Sequence, residues 1–200
     1  MGWSALVAAG AIRLWAYDAA AGVPAHPPTD WPADAHIVRN AGKATLVLLV
    51  HPHCPCSRAT IGELAKLMTH CGGRLATTVL MLQPAGRSDN WVHTDLWSSA
   101  AAIPGVTVLA DRQGTESRRF GAATSGQSLL YSADGRLLFA GGITESRGHS
   151  GDNAGRSAIE SLVMTTGSRS ARGPARAPVY GCPLFGPDAC QNEGTNPCRK

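Results

Sequence analysis

Two cysteines separated by one proline, Cys54-Pro55-Cys56, follow His51-Pro52-His53 and precede the run Ser57 to Thr60. Neighbouring thiols can exchange disulfides or hold a soft metal ion, and in both roles the working species is the thiolate. The position suits a negative charge. An apolar run from Thr45 to Val50 stands before the pair and a helical pattern follows it, so the cysteines fall where a strand ends and a helix begins. Free backbone N–H groups and the helix dipole stabilise an anion there, and an imidazolium at His51 or His53 would act in the same sense. A Cys54–Cys56 bond closes a smaller ring than Cys-x-x-Cys, and a disulfide forced from relaxed geometry is easier to reduce, which makes such a pair oxidising. The bland reading, two inert buried cysteines, does not account for the flanking prolines and histidines.

Four further cysteines stand at 71, 182, 190 and 198, the last three in a Pro/Gly-rich tail. Free thiols in such a tail are of little use in a reducing compartment, so the pattern points to an oxidising one. With Cys54 and Cys56 paired, the other four allow three pairings. Cys182, between Gly181 and Pro183, is the one whose segment could fold back over the site and resolve a mixed disulfide.

The elements that must position these thiols read as an alternation. Thr45 to Val50 is a continuous apolar run suited to a central strand buried on both faces. Ile61, Leu64, Ala65 and Met68 form a helical stripe that stops at Gly72-Gly73, and Leu75 to Leu82 is a second strand. The stretch from Trp91 to Ile103 reads as a helix, Val106 to Asp111 as a short strand, and Gly114 to Gly121 as a short helix. Asp134-Gly135 marks a hairpin between the strands of residues 127–132 and 136–142. A last helix carries Ile159, Leu162 and Val163 on one face, with Asp152-Asn153 as its N-cap. A parallel βαβ half followed by an antiparallel ββα half predicts an α/β fold, a thioredoxin-like three-layer sandwich around a mixed sheet. In that topology the second hairpin strand returns to the edge where the cysteines lie. His149, in Gly148-His149-Ser150-Gly151, is therefore expected beside them as a proton relay or ligand.

These blocks resemble a known family. The layout is similar to membrane-tethered thioredoxin-like proteins of the TlpA and peroxiredoxin type. "HPHCPCSRAT", "TDLWSSAAAIPGV", "FGAATSGQ", "LLFAGGITESRGHSGDNAGR" and "YGCPLF" together resemble bacterial thioredoxin-like proteins labelled RedB, over about Trp31 to Phe185. Two departures stand out. Thioredoxins carry a cis-proline facing the cysteines, whereas the matching position here, Gly126 or Gln127, has none, which puts main-chain docking of peptides in doubt. Peroxiredoxins carry Thr three residues before the reactive cysteine, where this chain has His51.

The 200 residues suffice for one domain plus tails. Residues 1–30 are expected to form a membrane anchor or export segment with a Pro-rich extended spacer, 31–166 the thioredoxin-like domain, and 167–200 the tail. The first segment is imperfect as an anchor: it is interrupted by Arg13 and short of the ~20 apolar residues a spanning helix needs. The net charge of +4 is scattered, with no basic-aromatic face for nucleic acid. The expected function is an extracytoplasmic, periplasmic-side thiol-disulfide oxidoreductase acting on protein thiols and disulfides, with Cys54, Cys56, His53 and His149 as its site and no cofactor. The alternative is a copper-binding or copper-delivery protein with Cys54, Cys56, His51 and His149 as ligands, a strategy that resembles Sco-type copper proteins.

Overall fold

The computed structural model describes residues 2–165 and 173–185. After an N-terminal helix α1 (Gly2–Ala19), the chain runs β1 (Ala44–Val50), α2 (Ser57–Cys71), β2 (Leu75–Gln83), α3 (Asp89–Val92), α4 (Asp95–Ala101), β3 (Val106–Arg112), α5 (Thr115–Arg119), β4 (Gln127–Tyr131), β5 (Leu137–Gly141), α6 (Ala154–Met164) and β6 (Ala175–Arg176). One sheet holds the strands in the order β3-β2-β1-β4-β5-β6. β1, β2 and β3 run parallel, β4 is antiparallel to β1 and β5, and β6 adds parallel to β5. This is the thioredoxin-like arrangement that the order of elements predicts, with β1 central.

The reason β1 sits there is its composition. Leu46, Leu48 and Val50 point into one apolar cluster, under α2, α4 and α6, while Val47 and Leu49 point into a second cluster with Phe120 and Tyr131 on the other face. A strand apolar on both sides can only be satisfied between two layers. The stripe on α2 behaves as its spacing requires: Ile61 and Leu64 are buried and Ala65 and Met68 pack at the margin of the first cluster. The Asp134-Gly135 turn joins β4 to β5, with Gly135 at φ +93°, a conformation that favours glycine. The expected single helix from Trp91 to Ile103 is divided into α3 and α4, because His93 leaves helical geometry and Thr94 is extended.

α6 is held to α2 by a buried ion pair. Arg156 Nε lies 2.9 Å from Glu63 Oε2, close enough for charge pairing though not aligned for a hydrogen bond. Glu63 also accepts the Gly151 N–H at 3.0 Å and the Asn153 side-chain amide at 3.3 Å. Asn153 in turn caps α6 by accepting the Arg156 backbone N–H at 2.8 Å. The end of the β5–α6 loop is thereby tied to α2, the helix that starts at the cysteines.

One N-terminal segment differs from expectation. The Pro-rich stretch expected as an extended spacer is a strap along the domain. The Gly22 N–H donates to Val179 O, His26 N–H to Gly121 O, Leu137 N–H to Thr29 O, and the Tyr131 hydroxyl to Pro28 O. Prolines leave the chain extended, so its free backbone groups can pair with the domain at these points. α1 is an 18-residue helix with no buried residue, about 27 Å long at 1.5 Å per residue, against the ~30 Å of a bilayer core. No described helix is long and apolar enough to cross a membrane.

Candidate functional site: three thiols at one strand end

The junction between β1 and α2 is a pair of tight turns. Cys54 N–H donates to His51 O, and Ser57 N–H to Cys54 O, so the chain coils from the strand end directly into α2 with Cys56 at the N-cap. Cys54 has no exposed surface, and Cys56 is 8% exposed. The third member comes from far away. Cys182 Sγ stands 2.9 Å from Cys54 Sγ, and all three cysteines are free thiols.

The tail is held there by sheet-like pairing. Ser125 N–H donates to Cys182 O and Leu184 N–H to Ala123 O, each at 2.8 Å, with Thr124 and Pro183 forming an antiparallel bridge. Leu184 is fully buried, and the Arg118 guanidinium lies over the Phe185 ring at 4.3 Å. Gly181 has to be glycine, because a Cβ there would run into Ser125 O. Gly126, at the position where the sequence lacks a proline, has φ +92° and donates its N–H to Leu49 O at 2.8 Å. No cis peptide is present among the described residues.

Charge at the three sulfurs is unequal. Hydrogen bonds from Cys182 and then Cys56 pull the Cys54 thiol from 9.0 to about 2; burial opposes them, and the Ser57 hydroxyl adds to the lowering. Cys54 is the thiolate. Cys182, which donates to that thiolate, is pushed far up by the same contact, by its contact with Cys56 and by burial. For Cys56 the Cys182 contact pulls down, but the hydrogen bond to Cys54, burial and the Cys54 charge outweigh it, and the thiol is raised. Behind Cys54 runs a hydroxyl relay: Ser125 Oγ accepts the His51 N–H at 2.8 Å and lies 2.9 Å from Ser57 Oγ. Since Ser57 supports the Cys54 thiolate, the consistent direction is Ser125 donating to Ser57 and Ser57 to Cys54.

The histidines are placed otherwise than the sequence predicts. His51 is buried, and its Nδ1 accepts the His53 backbone N–H at 3.2 Å, which keeps a lone pair on that nitrogen. His53 donates from Nε2 to Trp91 O at 2.9 Å and packs against the Trp91 ring, tilted by 49° with the centroids 4.5 Å apart. Both imidazole rings pack against Trp91, and the largest influences lowering the Cys54 thiol are hydrogen bonds from Cys182 and Cys56, with Ser57 adding to them. His149 is exposed, its Nδ1 turned to Arg147 O at 2.8 Å. The loop does return to the sulfur edge, but the residue it brings is Arg147. That guanidinium donates to Gly181 O at 2.5 Å and to Ala20 O at 3.2 Å, lies over Tyr17 at 4.8 Å, and its charge favours the Cys56 thiolate. Among the described residues no group of three or more His, Cys, Asp or Glu is arranged to hold a metal ion, and His149 points away from Cys54 and Cys56 to Arg147 O.

Ser57, Ser125 and Arg147 are the functional side chains that residue types left unmarked, although the first directly follows Cys56; Cys182 lies over the site as the tail motif suggested. Cys71, buried at the end of α2, is raised by burial and is a packing residue. Cys190 and Cys198 lie outside the described residues.

A mixed sheet with a thiolate at the N-terminal end of the helix after its central strand defines a thioredoxin-like α/β protein. Solved structures are similar to this chain over much of its length. An uncharacterized conserved protein from Geobacillus kaustophilus aligns at 17% identity over 84% of this chain and 94% of that one, with a TM-score of 0.57. A hypothetical protein from Sinorhizobium meliloti aligns at 18% identity over 84% and 96%, with a TM-score of 0.55. StoA from Bacillus subtilis aligns less well, at 14% identity over 69% and 98% and a TM-score of 0.46. No protein-family model matches the sequence, and no curated protein matches it.

Proposed function

We propose that the chain is an extracytoplasmic thiol-disulfide oxidoreductase whose reactive group is the Cys54 thiolate in the Cys-Pro-Cys site. The observation that carries this reading is the contact of a stabilised thiolate with a second thiol at 2.9 Å, the arrangement a dithiol needs to cycle with a disulfide. Its partners are protein thiols and disulfides, and it has no role on nucleic acid. The N-terminal segment supports export and a membrane location. α1 leaves Trp3, Leu6, Ile12, Leu14 and Trp15 exposed, an apolar surface of the kind a bilayer covers.

Turnover decides between this reading and copper. Full-length chain, reduced and then supplied with glutathione disulfide and a dithiol peptide, is expected to catalyse oxidation of the peptide without added metal. If exchange is no faster than the uncatalysed background while one equivalent of Cu(I) is retained against a chelator, the copper-carrier function is the correct one.

A further inference from the structure

We infer that the working disulfide joins Cys54 to Cys182, and that Cys182 Sγ is the atom on which substrate thiols act. This rests on the oxidoreductase reading and specifies which bond it uses. Three observations carry it.

The first is distance. From 2.9 Å the two sulfurs need only close to the ~2.05 Å of a bond. Cys54 and Cys56 instead are linked through a single proline of fixed φ, with Cys56 already in helical geometry at φ −64° and ψ −26°.

The second is preorganisation. Cys182 is gripped from both sides, by the Ser125 and Leu184 hydrogen bonds, the buried Leu184 anchor and the Arg147 contact to Gly181 O. The same segment seats Leu184 in the second core cluster, so the position of Cys182 is fixed by the packing of the domain.

The third is access. Cys54 has no exposed surface, whereas Cys182 is half-buried and lies over it. A substrate thiolate can meet Cys182 while Cys54 stays covered, and cleavage there expels the better leaving group. The lower the pKa of the departing thiol, the faster it leaves.

The cycle balances as follows. A substrate thiolate attacks Cys182 Sγ of the Cys54–Cys182 disulfide, forming a mixed disulfide, and the bonding pair leaves with Cys54 Sγ as thiolate. The second substrate thiol, deprotonated, attacks the substrate sulfur of that mixed disulfide and releases Cys182. The substrate becomes a disulfide and the protein gains two electrons. Of the two protons lost by the substrate, one goes to Cys182 and one to solvent, since Cys54 remains ionised. A second disulfide of higher potential restores the Cys54–Cys182 bond by the reverse exchange.

Full-length chain is oxidised with glutathione disulfide, quenched in acid, alkylated and mapped by mass spectrometry. A cross-linked peptide pair containing Cys54 and Cys182 is expected, with Cys56 alkylated. The pair should be lost in Cys182→Ser. A brief pulse of reduced glutathione on the oxidised protein, quenched early, should place the glutathionyl group on Cys182. A Cys54–Cys56 bond with Cys182 alkylated, or glutathione found on Cys54, overturns the inference while leaving the oxidoreductase intact. No disulfide among the three removes both.

Discussion

Replacing Cys54 with serine is expected to abolish exchange and, with it, the thiolate absorbance of the reduced protein near 240 nm. The Cys54 charge is supported first by the hydrogen bonds from Cys182 and Cys56 and then by Ser57, so wild type should show one thiolate at neutral pH and well into the acid range. Cys56→Ser should keep that absorbance, because Cys56 is itself raised. Stability follows the same charge. Cys54 has a folded pKa below its ordinary 9.0, so its contribution is fully present above pH 9 and is lost as pH falls towards the folded value. Relative to Cys54→Ser, wild type should lose about 1.4 kcal/mol per pH unit on acidification below 9 while the thiolate persists. Cys182 acts with the opposite sign. Its raised pKa contributes stability present below 9.0 and lost as pH rises through its folded value, so stability declines again in strong base. Chemical denaturation of both reduced proteins from pH 5 to 9 measures this. Parallel stabilities across that range, or no thiolate absorbance at pH 7, would mean that Cys54 is an ordinary buried thiol.

The largest loss of stability is expected at Glu63. Its carboxylate is fully buried and faces Arg156 at 2.9 Å and Lys66 at 2.7 Å while accepting from Gly151 and Asn153. Glu63→Ala leaves the Arg156 guanidinium, also largely buried, without that partner; Asp152 and Glu160 at 3.1 and 2.9 Å remain on its outer side. Removing one member of a buried pair typically costs about 3–5 kcal/mol, read as a lower urea midpoint at unchanged slope. Glu63→Gln, whose single amide oxygen can still accept from one of Gly151 and Asn153, should lose less. The effect should reach the thiols, because the same loop carries Arg147 to Gly181 O. A change under ~1 kcal/mol in Glu63→Ala would show that Asp152 and Glu160 suffice for Arg156.

Local pattern carried most of the fold into view. β1 was legible because an apolar run without alternation has only one home in a layered α/β protein, and the β4–β5 hairpin because Asp134-Gly135 supplies the turn geometry. The thiol pair at the β1–α2 junction followed from those elements. What lay hidden was non-local and non-periodic. The tail motif marked Cys182 as able to fold back over the site, but its direct contact with Cys54 across 128 positions rests on backbone bonds that leave no pattern in residue type. The strap over residues 22–29 pairs in the same way and therefore reads as a free spacer. His149 was misplaced by a turn: with Gly148 at φ +70° and His149 N–H on Ser146 O, the loop reverses so that Arg147 faces the sulfurs and His149 faces out. Side-chain direction within a glycine-flanked loop is set by such dihedrals, and strand topology alone does not specify them.

The central claim is that Cys54 belongs to a reversible two-electron couple. Equilibrating the full-length protein in glutathione buffers of stepped potential, trapping in acid and counting free thiols tests it most directly. A stabilised thiolate favours the reduced form, so one two-electron transition is expected, at a potential well above thioredoxin's ~−270 mV and absent in Cys54→Ser. Thiols that stay reduced at every poise, or a transition unchanged in Cys54→Ser, would contradict the account.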